Sequence, residues 1–137
     1  MKAAVVYWSG TGNTAAMADL VLEGMQRAGA QADLMECTAA ADLSPYDAIA
    51  FGCPAMGSEQ LEDSEFEPMF SACESKLKGK KIALFGSYGW GDGEWMRDWE
   101  ETCTKDGAVM ACDFVICNAF PDANALEACR EMGKSLA

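Results

Sequence analysis

Tyr7-Trp8-Ser9-Gly10-Thr11-Gly12-Asn13-Thr14, residues 7–14, decides how the rest of the chain is read. Residues 3–7 before it are apolar, with β-branched Val5 and Val6, and read as a buried strand. Residues 14–28 after it carry Met17, Leu20, Val21 and Met25 at helical spacing, and Gly29 stops them. A strand, a glycine loop and a helix together make a setting for an anion. The glycines let backbone N–H groups converge, and the helix N-terminus adds positive potential. The loop lacks the lysine of a nucleoside-triphosphate loop. It does match the dinucleotide spacing Gly10-x-Gly12-x-x-Ala15, with Glu36 near the distance for a ribose contact. Against that alternative, Ser9, Thr11, Asn13 and Thr14 crowd the loop with side-chain donors, which suits the three free oxygens of a terminal phosphate monoester. A chain of 137 residues also lacks room for a second nucleotide half and a substrate domain.

Working outward, strand and helix alternate to the end. Residues 32–36 form a weaker strand, Ser44-Pro45 marks a turn, and residues 48–53 form a second buried strand. Phe66, Met69, Phe70, Cys73 and Leu77 recur at helical spacing, with Pro68 in the first turn. Residues 81–86 read as a strand. Residues 94–105 read as a helix with Trp95, Trp99 and Thr102 on one face. Residues 108–116 read as the longest strand, and 124–136 as a closing helix with Leu126, Cys129, Gly133 and Leu136 inward. A single helical turn over 39–43 would complete a fivefold alternation. Continuous apolar strands between amphipathic helices predict an α/β fold, a doubly wound parallel sheet covered on both faces. Ligands of such sheets bind beyond the carboxyl ends of the strands.

Composition bounds the function. One domain spanning 1–137 is expected, and a chain of this size buries about two-thirds of its unfolded surface without disulfides. The net charge of −12 repels phosphate backbones and anionic lipids, so neither nucleic acid nor membrane is an expected partner. The absence of histidine removes imidazole as a general base and as a zinc ligand. The seven cysteines form no CxxC and read as free, packed thiols in a reducing compartment. Residues 1–7 carry one charge and too short an apolar stretch for a signal peptide, so a cytoplasmic location is expected.

Two further loops should gather with the first at one end of the sheet: Cys53-Pro54-Ala55-Met56-Gly57-Ser58-Glu59 and Gly86-Ser87-Tyr88-Gly89-Trp90-Gly91-Asp92-Gly93. Trp90 sits between glycines, where no helix stripe claims it; it reads as a core plug, a partner anchor or a stacking face for a planar ligand. Trp95 and Trp99, four apart on a helix, read as core. With these segments in view the sequence resembles the flavodoxins, specifically the short-chain type of clostridia and related anaerobes. The segments 7–14, 52–57 and 84–91 carry the resemblance, which runs end to end. It implies a five-stranded sheet of order 2-1-3-4-5, which is the family's own order and not a reading of the pattern.

The resemblance also implies one noncovalent FMN. Ser9, Thr11, Asn13 and Thr14, with the backbone N–H groups of Gly10 and Gly12, would hold the phosphate. Met56 and Trp90 would sandwich the ring, with Pro54, Ala55, Ser58 and Tyr88 in the same loops. Ser87 and Gly89 would lie along the ribityl chain, Glu59 would bond the pyrimidine edge, and Asn118 is a further candidate contact. Gly57 would let a peptide turn over to present its carbonyl to flavin N5. Pro54 stands where some members carry serine, so one phosphate contact is expected to be missing. The implied role is a low-potential one-electron carrier without catalytic residues or metal. It would be a monomer, used in place of ferredoxin to reduce oxidoreductases that present basic docking faces. Acids at 59, 62, 63, 65 and 67, and at 92, 94, 98, 100 and 101, would form a rim that steers them, though some are no more than a solvated face. The alternative is an NAD(P)H or quinone reductase of the same fold.

Overall fold

Every apolar run read as a strand lies in one parallel sheet. The computed structural model describes residues 2–40, 42–57 and 60–137. The elements are β1 (Lys2–Tyr7), α1 (Asn13–Arg27), β2 (Gln31–Glu36), β3 (Ala48–Gly52), α2 (Phe66–Cys73), β4 (Lys81–Tyr88), α3 (Glu94–Lys105), β5 (Val109–Met110), β6 (Val115–Asn118) and α4 (Ala123–Leu136), with single 3-10 turns at Cys37–Ala39 and Glu74–Lys76. The order is β2-β1-β3-β4-β5, with β6 also paired to β4 and every pairing parallel. This is the expected 2-1-3-4-5 sheet, its fifth column in two pieces.

Alternation along the strands divides the core into two layers. Ala4, Val6, Ile49, Phe51, Ile82 and Leu84 pack with residues of α2 and α3. Ala3, Val5, Ala48, Ala50, Ala83 and Phe85 pack with α1 and α4. The first layer is rich in rings: Phe66 and Phe70 meet Trp99 edge-on, with centroids 5.4 and 5.7 Å apart. Trp95 and Trp99 are both buried, as their spacing predicts.

Two expectations are corrected. Residues 108–116 are not the longest strand. Lys81 pairs Val109 and Ile82 pairs Met110, but from Phe85↔Val115 onward the register has slipped by two residues. Asp113 lies in the gap and is exposed; a lone carboxylate cannot be buried in a covered strand, so the chain bulges outward there. Between β2 and β3 the helical turn comes early, at Cys37–Ala39. The chain beyond it is closed by Lys80, whose Nζ donates to the carbonyls of Ser44 (3.1 Å) and Tyr46 (2.6 Å). On α3, Thr102 shares the face of Trp95 and Trp99 as expected and bonds back to the Asp98 carbonyl, and Cys103 joins the same core layer.

Helices α1 and α4 touch backbone to backbone. A Cβ on Gly133 would lie 2.1 Å from the Val21 carbonyl oxygen, and one on Gly24 would lie 2.0 Å from that of Arg130. Neither neighbour is a flexible side chain. Gly133→Ala should therefore force the helices apart and destabilise the fold by about 1–3 kcal/mol or more. Urea unfolding checks this, and an unchanged midpoint would contradict the close packing.

Candidate cofactor site

Gly12 ends the first loop with φ 95, a left-handed conformation in which L side chains are strained, and serves as N-cap of α1. It brings no capping side chain, and no acid stands in the first turn of the helix. The Ser9 hydroxyl accepts from the N–H groups of Gly12 (3.1 Å) and Ala15 (3.3 Å), which ties the loop to the helix. By contrast α4 is capped by the Asp122 carboxylate, which accepts from the Ala125 N–H at 2.8 Å. The positive end of α1 therefore has no offsetting carboxylate of its own.

That end opens on a cavity of about 280 Å³ at the carboxyl ends of the strands. Gly10, Thr11 and Asn13 line it from the first loop, Pro54, Ala55 and Met56 from the second, and Ser87, Tyr88 and Gly89 from the third. The main chain fixes these loops to one another. The Cys53 N–H donates to the Phe85 carbonyl and the Ala55 N–H to the Ser87 carbonyl, both near 3 Å, so the β3–β4 ladder continues into the second loop. Thr14 is buried behind the wall, its hydroxyl 3.4 Å from that of Ser87. The strand order reverses between β1 and β3, where ligands of such sheets bind.

Some expected residues sit elsewhere. Trp90 does not line the cavity and is 62% exposed. Asn118 ends β6 opposite Tyr88 and lines a separate open depression with Phe120 and Asp122. A Cβ on Gly57 would meet no atom within 4 Å. Gly57 is also absent from the positive-φ residues, so this conformation does not itself require glycine. Ser58 and Glu59 lie outside the described residues.

Two wall residues escaped the sequence reading. Trp8 was visible as an aromatic directly before the glycine loop. Ala119 had no signal: it is held at φ 57 by the strand end, its N–H donating to the Tyr88 carbonyl at 2.8 Å.

The acids divide into two kinds. Glu62, 5% exposed, is no part of a solvent rim. Its carboxylate accepts from the N–H groups of Ser64 (3.0 Å), Glu65 (2.7 Å) and Phe66 (2.8 Å) and from the Ser64 hydroxyl, closing the start of α2. Desolvation alone would push this carboxyl up; the Ser64 hydroxyl and the three N–H donors outweigh it and bring it down to about 2. Asp63, Glu67, Asp98 and Glu101 are exposed. All seven cysteines are free, and burial pushes Cys37 and Cys73 up to about 11 and Cys103 and Cys129 up to about 12. These four thiols stay protonated at neutral pH, and thiolate chemistry is not open to them.

The family model for flavodoxin matches residues 5–133. The chain is 50% identical over 135 residues to the flavodoxin of Megasphaera elsdenii, covering 97% of this chain and 96% of that one. It is 45% identical to that of Clostridium beijerinckii, covering 97% of each. Among solved structures, the solution structure of two-electron reduced Megasphaera elsdenii flavodoxin superposes with a TM-score of 0.90 at 47% identity, covering 98% of this chain and 97% of that one. The family model and these relatives define an FMN-binding electron-transfer protein, not an enzyme. The chain belongs to the flavodoxin family. The reductase alternative is not favoured, since these near-full-length relatives are flavodoxins.

The Glu62 carboxyl, lowered from 4.5 to about 2 in the folded state, contributes stability that is complete above pH 4.5 and is lost as pH falls toward 2. Glu62→Gln should therefore lower stability at pH 7 by a few kcal/mol, and the gap to the unsubstituted protein should narrow at pH 3. Urea titrations at the two pH values check this; a gap independent of pH would contradict the assignment.

Proposed function

We propose that the cavity at the ends of β1, β3 and β4 holds the FMN and that residues 1–137 act as one flavin domain. The protein would be a cytoplasmic monomer passing single electrons at low potential to oxidoreductases with basic docking faces, in place of ferredoxin. The carrying observation is the positive end of α1, without an acid in its first turn, opening on a cavity with polar donors at one side and apolar walls at the other. No helix among the described residues is long and apolar enough to cross a membrane.

FMN, when bound, supplies the one-electron chemistry. The chain's own residues bind, orient and tune. Thr11 and Asn13, with the loop's N–H groups, take the phosphate, and the Ser9 hydroxyl holds that loop on the helix. Met56 and Tyr88 offer apolar surface to the ring. Trp90, exposed in the third loop, supplies a second stacking face. Gly57, with no side chain to hinder it, would let its own peptide turn over to present its carbonyl to the ring. A net charge of −12 disfavours further negative charge on a bound flavin, which lowers its potential.

Thr11→Ala removes a charge-assisted hydrogen bond worth roughly 1.5–3 kcal/mol. FMN should bind at least tenfold more weakly, while riboflavin, which has no phosphate, should bind almost as before. Fluorescence titration of the apoprotein with both flavins checks this, and equal weakening would remove the phosphate assignment.

Electron transfer to a basic partner should slow as salt rises, because exposed charges are screened beyond about 8 Å at physiological ionic strength. Asp63→Lys should act in the same direction as salt. Stopped-flow rates that stay flat from low to high salt would eliminate steering by the acidic face.

A further inference from the structure

Trp8 leaves β1 with its N–H donating to the Gly52 carbonyl at 3.0 Å, which fixes its backbone. Its indole covers Gly10. A Cβ on that glycine would lie 2.9 Å from Cη2 and 3.3 Å from Cζ3. The ring is half-buried, packed in part against the core layer of α2 and α3. A second cavity of about 190 Å³, lined by Trp8 together with Glu36, Cys37, Thr38 and Glu65, leaves it room to swing away. A hydrogen bond opposes that motion: the indole Nε1–H donates to Glu65 Oε1 at 2.9 Å. Glu65 is itself held, because its N–H donates to the buried carboxylate of Glu62 at 2.7 Å. The N-cap of α2 is thereby fastened to the anion loop, 57 residues away in sequence.

We propose that Glu65 is a positioning residue for the FMN phosphate: through the Trp8 indole it keeps the loop at Gly10 in binding shape, and so sets the preference for FMN over riboflavin. This rests on the FMN reading of the cavity. A loop with two glycines in four residues has extra backbone freedom to lose on binding. An indole plate fixed across it removes part of that freedom beforehand, and preorganisation appears as affinity. The Glu65 carboxylate is not chosen for its charge, which opposes the phosphate; it acts as an acceptor. Glutamine supplies the same acceptor without the charge, and leucine supplies neither.

The test uses the whole chain stripped of flavin and titrated separately with FMN and with riboflavin. Glu65→Leu and Trp8→Phe should each weaken FMN about fivefold, the range of one net hydrogen bond. Riboflavin should change less than twofold. The double variant should be no weaker than either single one, because both remove the same bond. Glu65→Gln should bind FMN as the unsubstituted protein does or more tightly. Acrylamide quenching of tryptophan fluorescence should rise in apo Glu65→Leu and not in Glu65→Gln. Unchanged FMN affinity in Glu65→Leu, equal weakening of both flavins, or additive effects in the double variant would each overturn the proposal. If Glu65→Leu does not fold, Trp8→Phe and Glu65→Gln decide it: a selective loss of FMN in the first with retention in the second supports it, and any other pair of results overturns it. If the unsubstituted apoprotein shows no preference for FMN over riboflavin, the phosphate reading fails and the proposal fails with it. A clear preference that Glu65→Leu leaves intact sinks the proposal alone.

Discussion

Burial of the sheet on both faces is the constraint on which the rest of this molecule depends. Ala3–Val6, Ala48–Phe51 and Ile82–Phe85 are all fully buried. No polar side chain can stand on those strands without losing its hydration, so chemistry is driven to the strand ends. The side facing α1 and α4 is built largely of alanines along the strands. The same helices meet each other at Gly24 and Gly133. That close approach sets α1 against the sheet and directs its N-terminus at the mouth where the three loops converge.

The acidic composition conceals a division of labour. An exposed carboxylate is worth little to stability and acts at a distance, through the field of the whole surface. A buried carboxylate ringed by N–H donors is a structural part. Glu62 is of the second kind, and closing the first turn of α2 places Glu65 where it meets the Trp8 indole. Lys80 does the corresponding work with the opposite charge, gathering the carbonyls of Ser44 and Tyr46. Both ions anchor irregular chain where no helix or strand supplies the hydrogen bonds.

Aromatic residues separate in the same way. Trp95 and Trp99 are packed between α3 and the sheet, and the Trp95 indole N–H donates to the Cys53 carbonyl at 3.3 Å. Trp8 is half in the core and half in the cavity wall. Trp90 is left outside, an apolar surface the fold does not use for its own stability.

The sequence by itself determined the alternation of strand and helix, the parallel sheet, the glycine loop with its hydroxyls, and the core role of Trp95 and Trp99. All of these follow from properties of neighbouring residues: the period of apolar side chains, and the tolerance of glycine for a left-handed turn at Gly12. Only the tertiary structure decided that Glu62 is a cap and not a rim charge, that the fifth strand breaks at Asp113, that Ala119 rather than Asn118 lines the cavity, and that Trp8 is held by Glu65. Each depends on what lies across the fold. A carboxylate reads the same in sequence whether water or four donors surround it, and the partner of an indole 57 residues away is settled only when the elements pack.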